Sequence, residues 1–182
     1  MKFGVLSVMY GTGERTLAGQ LGISEEEARA FINTFYEKNK MVKAWIESNV
    51  AAVRKDGFVT MMGGRKRRLP EAKSHDKWLR LKAERQSTNA IIQGSAAIQT
   101  KITMIKLHEL CLRKGWKMLF SIHDEVAVLA PDTITREDVK EFENVMLDSF
   151  KLCVPNKTDI VIEKRWTDGN SVDEWFNNKG EA

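Results

Sequence analysis

Cysteine is scarce in this sequence, proline scarcer, and long apolar runs are missing. The 182 residues hold two cysteines, Cys111 and Cys153, and three prolines. Two cysteines cannot build a disulfide framework, and their spacing matches no zinc signature. Both lie on apolar segments and read as buried thiols. No apolar run reaches the roughly 20 residues that a membrane helix needs. The opening MKFGVLSVMYGTG has one lysine and a short apolar stretch. It lacks the longer core and small-residue cleavage site of a signal peptide, so a cytosolic protein is expected. No internal repeat or low-complexity segment is visible.

What is present is an ordinary balance for one domain with its own core, 42% hydrophobic and 30% charged. The net charge of +4 is small, and its distribution says more. From Arg65 to Arg85 the basic residues are Arg65, Lys66, Arg67, Arg68, Lys73, Lys77, Arg80, Lys82 and Arg85, against Glu71, Asp76 and Glu84. Such an excess suits either a polyanion partner or a solvated helix face.

Local patterns predict an α+β chain in which long helices pack on a small antiparallel sheet. A short helix over 2–10 ends at Gly11 and Gly13. Ser24 and Glu27 form a capping box ahead of Ala28, Phe31, Ile32 and Phe35 at helical spacing. A second helical pattern runs from about 41 to 55 and stops at Gly57, with a bend near Asn39. Residues 58–62 and the return to Leu69-Pro70 read as a hairpin through Gly63-Gly64. Residues 71–78 read as loop, and a long helix covers about 79–113 with Gly94 inside it. Strands are predicted over 117–122, 126–130 and 159–163, and a helix from Thr135 to near Cys153. Trp175 and Phe176, in a polar tail, are expected to pack back on the body.

Three constellations carry chemistry. His123-Asp124-Glu125 lies at a tight turn between apolar strands. A carboxylate there is held stiffly and suits a divalent cation, although acidic residues are common in turns. Arg85, Asn89 and Gln93 recur every four residues. That spacing puts them on one helix face, suited to a duplex minor groove or simply to water. Gly94 and Ser95 beside them leave room for a backbone or strand. Lys2, Leu6 and Tyr10 share a face in the same way. There a lysine can hold phosphates and an aromatic can stack on a base; the bland alternative is a frayed terminal helix.

In order and separation these segments resemble family A DNA polymerases. Lys2 to Tyr10-Gly11 is similar to that family's nucleotide-binding helix. Gly64-Arg65-Lys66-Arg67-Arg68-Leu69-Pro70 is similar to its Gly-Arg-Arg hairpin. Glu84-Arg85, Asn89 and Gln93-Gly94 match its Glu-Arg-x3-Asn-x3-Gln-Gly, and His123-Asp124-Glu125-Val126 its palm motif. The likeness covers about residues 2–166. It implies a single partial polymerase unit over 1–182, with fingers-like helices to about 57 and a palm-like portion from about 58.

The resemblance also implies roles. Lys2 would meet the phosphates of an incoming dNTP, Leu6 its sugar and base, and Tyr10 the templating position. Arg85, Asn89 and Gln93, with Arg65, Arg67 and Arg68, would contact primer–template DNA. Asp124 would be a catalytic ligand of Mg²⁺. Glu125 would organise the metal site or primer end, and His123 would support primer positioning. The setting implied is the cytosol of a bacterium or a phage-infected host.

Two departures stand out. Leu6 occupies a position where the family has phenylalanine or tyrosine. No Asp-Tyr-Ser-like motif supplies the first metal-binding aspartate, and no residue four before Lys2 supplies the helix's arginine. The expectation is therefore a polymerase portion that is inactive alone and needs an upstream polymerase chain. A non-catalytic DNA-binding remnant is the alternative. A metal-dependent phosphohydrolase ranks last, because His75 and His108 form no ligand set with the turn.

Overall fold

A computed structural model describes residues 2–166 and 169–178, with side chains for 4–166 and 169–177. Two compact units divide between Ala96 and Ala97. The architecture is α+β, as the sequence predicts.

The first unit begins with three helices, α1 (Lys2–Met9), α2 (Glu14–Leu21) and α3 (Glu25–Lys38). The Ser24 hydroxyl accepts from the Glu27 backbone N–H, and the Glu27 carboxylate accepts from the Ser24 N–H, so the capping box forms as read. Val8, Leu17, Ala18 and Ala28 are buried together, with Phe31, Phe35 and Tyr36 packed against them. Burying one leucine such as Leu17 is worth about 1.5–3 kcal/mol. Helix α2 was not foreseen. At eight residues with a glycine in its last turns, it has little pattern to read and depends on this packing.

Helix α4 (Lys40–Asp56) follows directly. The predicted bend falls at Asn39, which leaves helical dihedrals (φ −121°, ψ 56°) and donates its side-chain amide to Phe35 O at 2.8 Å. After α4 come β1 (Phe58–Thr60) and β2 (Lys66–Arg68), paired antiparallel with Val59 opposite Arg67. Gly63 and Gly64 turn the chain between them at φ 71° and 80°. These are left-handed values that a side chain disfavours. Residues 71–78 are not wholly loop, because Pro70–Lys73 makes a turn of 3₁₀ helix whose Ala72 is buried. Val53, Val59, Leu69, Ala72 and Ala83 form a second apolar cluster.

Helix α5 spans Lys77–Lys114. The room beside Gly94 and Ser95 is taken by the hairpin. A Cβ at Gly94 would collide with Met61 Sδ, and the Ser95 hydroxyl accepts from the Met62 N–H at 3.0 Å. Gly94→Val is expected to lower stability by about 1–3 kcal/mol through overpacking. Gly94→Ala should cost less, since alanine regains about 1 kcal/mol of helix propensity. Denaturant midpoints of the two variants check the order.

In the second unit β3 (Lys117–Ile122) and β4 (Glu125–Leu129) form a hairpin, with a register shift between Met118 and Phe120. Helix α6 (Arg136–Asp148) is capped by Thr135 and Asp138 and buries Val139, while Leu107, Leu110 and Cys111 are buried on α5. Lys114 lies 2.7 Å from both Asp138 and Glu141. The Lys114 ammonium, helped by the Thr135 N–H, holds the Asp138 carboxyl down at about 2.

Helix α6 stops five residues short of the predicted end. The Asn156 amide reaches back to Leu147 O and Phe150 O, and so satisfies carbonyls that a longer helix would have used. Cys153 consequently lies outside the helix and is exposed, while Cys111 is buried as read and its thiol is pushed up by that burial. The third strand shrinks to β5 (Val161–Ile162), paired with β6 (Asn170–Ser171). Helix α7 (Val172–Asn178) does return to its unit. Arg136 bonds Asp173 at 2.6 Å and lies over the Phe176 ring. Strands among the described residues thus form three two-stranded pairs.

Candidate functional site

Helix α1 turns Val8 into the first cluster and leaves Leu6, four residues before Tyr10, exposed. This division follows from helical spacing, since Leu6 and Tyr10 share the face opposite the buried one. Lys2 begins the same helix, but its side chain lies outside the described residues.

Arg85, Asn89 and Gln93 are exposed on one face of α5. The end of α1 meets that face. Gln93 Nε2 donates to the Tyr10 hydroxyl at 2.8 Å, and a Cβ at Gly11 would come within 3.2 Å of Arg85 Cγ. Tyr10, Arg85 and Gln93, up to 83 residues apart in the chain, therefore form one polar surface.

The neighbouring Glu84 is buried, and its carboxylate accepts from Arg54 Nε at 2.7 Å, with Arg80 4.0 Å away. That pairing raises the Arg54 guanidinium further above its usual range. It ties α4 to α5 at the residue before Arg85. Sequence reasoning gave Arg54 no role, because nothing local marks a pair 30 residues apart.

Arg65, Arg67 and Arg68 are exposed on the glycine-turned hairpin. Strand alternation sends Arg67 and Arg68 to opposite faces. Arg68 shares its face with Lys66, whose ammonium sits 4.3 Å from the Phe58 ring centroid.

In the second unit, Ile122 pairs with Glu125, so His123 and Asp124 make a two-residue loop. His123 takes φ 54°, the one non-glycine residue among those described with positive φ. Positive φ at the first loop position alone is the pattern of a type II′ turn, where glycine is usual. A histidine there costs roughly 1–2 kcal/mol. Strain of this kind tends to gather where a turn's shape is used. His123, Asp124 and Glu125 are all exposed. Among the described residues no three histidines, cysteines or carboxylates gather into a metal-binding group.

The β3–β4 hairpin carries a second feature that the motifs did not signal. Leu119, Phe120, Ile122 and Leu129 are each 38–55% exposed. Phe120 and Leu129 stand opposite Ala127 and Lys117, on the same pleated face as Ile122. Trp166 meets Phe120 edge-on at 5.0 Å and is itself exposed. Lys117 and Glu125 stand on this face as well, so its exposed apolar residues are interleaved with charge.

No helix among the described residues is long and apolar enough to cross a membrane. Residues 1–168 match the model of DNA polymerase family A. The thermostable DNA polymerase I of Thermus aquaticus is 34% identical over 166 residues, which is 91% of this chain and 20% of that protein. DNA polymerase I of Streptococcus pneumoniae is 36% identical over 150 residues, 81% of this chain and 17% of that one. Among solved structures, the polymerase domain of Pol1 from M. smegmatis, in complex with DNA primer-template and dNTP, superposes with a TM-score of 0.77. It is 32% identical, and the match covers 82% of this chain and 27% of that one. The chain thus spans about a fifth of the length of these curated relatives.

Proposed function

Because the chain belongs to DNA polymerase family A, we propose that it forms the part of a template-directed DNA polymerase that grips primer–template and the incoming dNTP. The observation that carries this reading is the hydrogen bond between Tyr10 and Gln93. It joins the end of a helix suited to a nucleotide to a helix face suited to a duplex.

On this reading Arg85, Asn89 and Gln93 contact the minor groove, where acceptors recur on every base pair. Arg65, Arg67 and Arg68 hold phosphates. Lys2 meets the triphosphate, Leu6 the sugar and base, and Tyr10 the templating position. The rigid His123 turn presents Asp124, with Glu125 and His123 set to organise the primer end.

Mg²⁺ is the cation such chemistry uses, and the described residues do not by themselves fit it. Mg²⁺ gives up its waters only for near-octahedral oxygen geometry. Asp124 and Glu125, adjacent and exposed, offer too few ligands in too open a setting. We assign Asp124 as one ligand of a site that the remainder of the polymerase completes. Two observations support a remainder. The matched relatives are about five times longer than the match. The exposed Phe120 and Ile122, on the strand that leads into the Asp124 turn, also suit a further polypeptide bearing a complementary apolar surface.

Residues 1–182 alone are then expected not to extend a primer. Adding an upstream polymerase chain that carries the thumb and the missing aspartate should restore extension with dNTPs and Mg²⁺. The alternative, a DNA-binding module without catalysis, is favoured by the incomplete ligand set. Gel-resolved extension assays separate the two: if duplex binds but no mixture ever extends, the catalytic reading fails.

A further inference from the structure

Trp78 is 79% exposed, at the second position of α5. Its backbone is held firmly, because Asp76 Oδ1 accepts from the Trp78 N–H at 2.7 Å and from the Leu79 N–H at 3.3 Å. An indole is a costly group to leave in water, and this one stands on a rigid base.

Its position on the helix is informative. At 3.6 residues per turn, Trp78, Lys82, Arg85, Asn89 and Gln93 fall within a stripe roughly 80° wide and about 22 Å long. All five are exposed. Trp78 therefore lies on the same side of α5 as the Arg85–Gln93 stretch that Tyr10 and Gly11 meet, about two turns before it.

The surroundings are cationic on balance, with Glu71 and Asp76 the exposed acids between Arg65 and Arg85. Of the three acids between Arg65 and Arg85, Asp76 is spent on capping α5 and Glu84 is buried against Arg54. Lys77, Lys82 and Arg85 have no carboxylate partner among the described residues. Lys82 is one turn beyond Trp78, on the same side. A flat aromatic beside free cations on a stiff helix has the makings of a platform for unpaired nucleic acid. There bases stack on the ring while the backbone follows the charges. Inside a duplex each base face is already covered by its neighbour, so the stacking partner must be a base outside the paired region.

We infer that Trp78 is a stacking platform for an unpaired DNA strand that continues beyond the duplex held by Arg85, Asn89 and Gln93. This deepens the reading of that face as a duplex contact and rests on it. The occupant is single-stranded DNA, chosen by the excess of unpaired positive charge.

The test uses the full chain and two fluorescent DNA probes, a blunt duplex and the same duplex with a single-stranded extension on one strand. Binding is measured by anisotropy for the wild type, Trp78→Ala, Trp78→Phe and Arg85→Ala. The wild type is expected to prefer the extended probe by about tenfold, in line with one stacked base. Trp78→Ala should erase that preference and leave blunt-duplex affinity unchanged. Trp78→Phe should keep most of it, and Arg85→Ala should weaken both probes alike. Thermal melts confirm that the variants fold.

An equal preference in wild type and Trp78→Ala overturns the inference while leaving the duplex reading standing. So does wild-type binding that ignores the extension. Failure of the wild type to bind either probe overturns the duplex reading and this one with it. A concentration-dependent dimer lost in Trp78→Ala, with no effect on either probe, would give the indole to a protein contact instead.

Discussion

Asp124→Ala is expected to reduce primer extension by the completed polymerase about a thousandfold, with little loss of DNA binding. A metal-bound carboxylate supports several kcal/mol of charge stabilisation in phosphoryl-type transfer. At about 1.4 kcal/mol per tenfold, three orders of magnitude follow. Asp124 is exposed at a hairpin end and its turn is set by backbone pairing, so the substitution should not disturb folding. Single-turnover extension, with duplex affinity measured alongside, separates chemistry from binding. Asp124→Asn should be nearly as inactive, since it keeps shape but loses charge. Extension within threefold of the wild type in both variants would remove Asp124 from the metal site.

The second large effect lies in DNA affinity. Neutralising Arg65, Arg67 and Arg68 together is expected to weaken duplex binding roughly a hundredfold near 0.15 M salt. It should also flatten the slope of log K against log salt by about 2.7, as three phosphate contacts each release about 0.9 counterion. The loss should be the same for any duplex sequence, because phosphates carry no base information. All three arginines are exposed, and Lys66 keeps its place over Phe58, so the hairpin should remain folded. Anisotropy titrations at several salt concentrations give both quantities. An unchanged slope would move the DNA surface away from this hairpin, whatever the charge count between Arg65 and Arg85.

Much of the fold was legible because its causes are local. The Ser24–Glu27 capping box, the stop at Gly57, the Gly63-Gly64 turn and the length of α5 rest on residues within a few positions of one another. The errors fell where distant groups decided the outcome. Helix α6 ended early because Asn156 took its last carbonyls. Cys153 was exposed for the same reason, and the third strand was cut to the two residues that Asn170 and Ser171 could pair.

The functional reading divides along the same line. Spacing alone put Arg85, Asn89 and Gln93 on one face and placed His123-Asp124 between two strands, since the periods of helix and strand are properties of the backbone. That Tyr10 bonds Gln93, that Glu84 is anchored by Arg54, and that Trp78 and the Leu119–Phe120 face stand in water are decided by packing among segments far apart in the chain. A linear pattern records the direction in which a side chain leaves its own helix or strand. It holds no record of what another part of the chain brings to meet it.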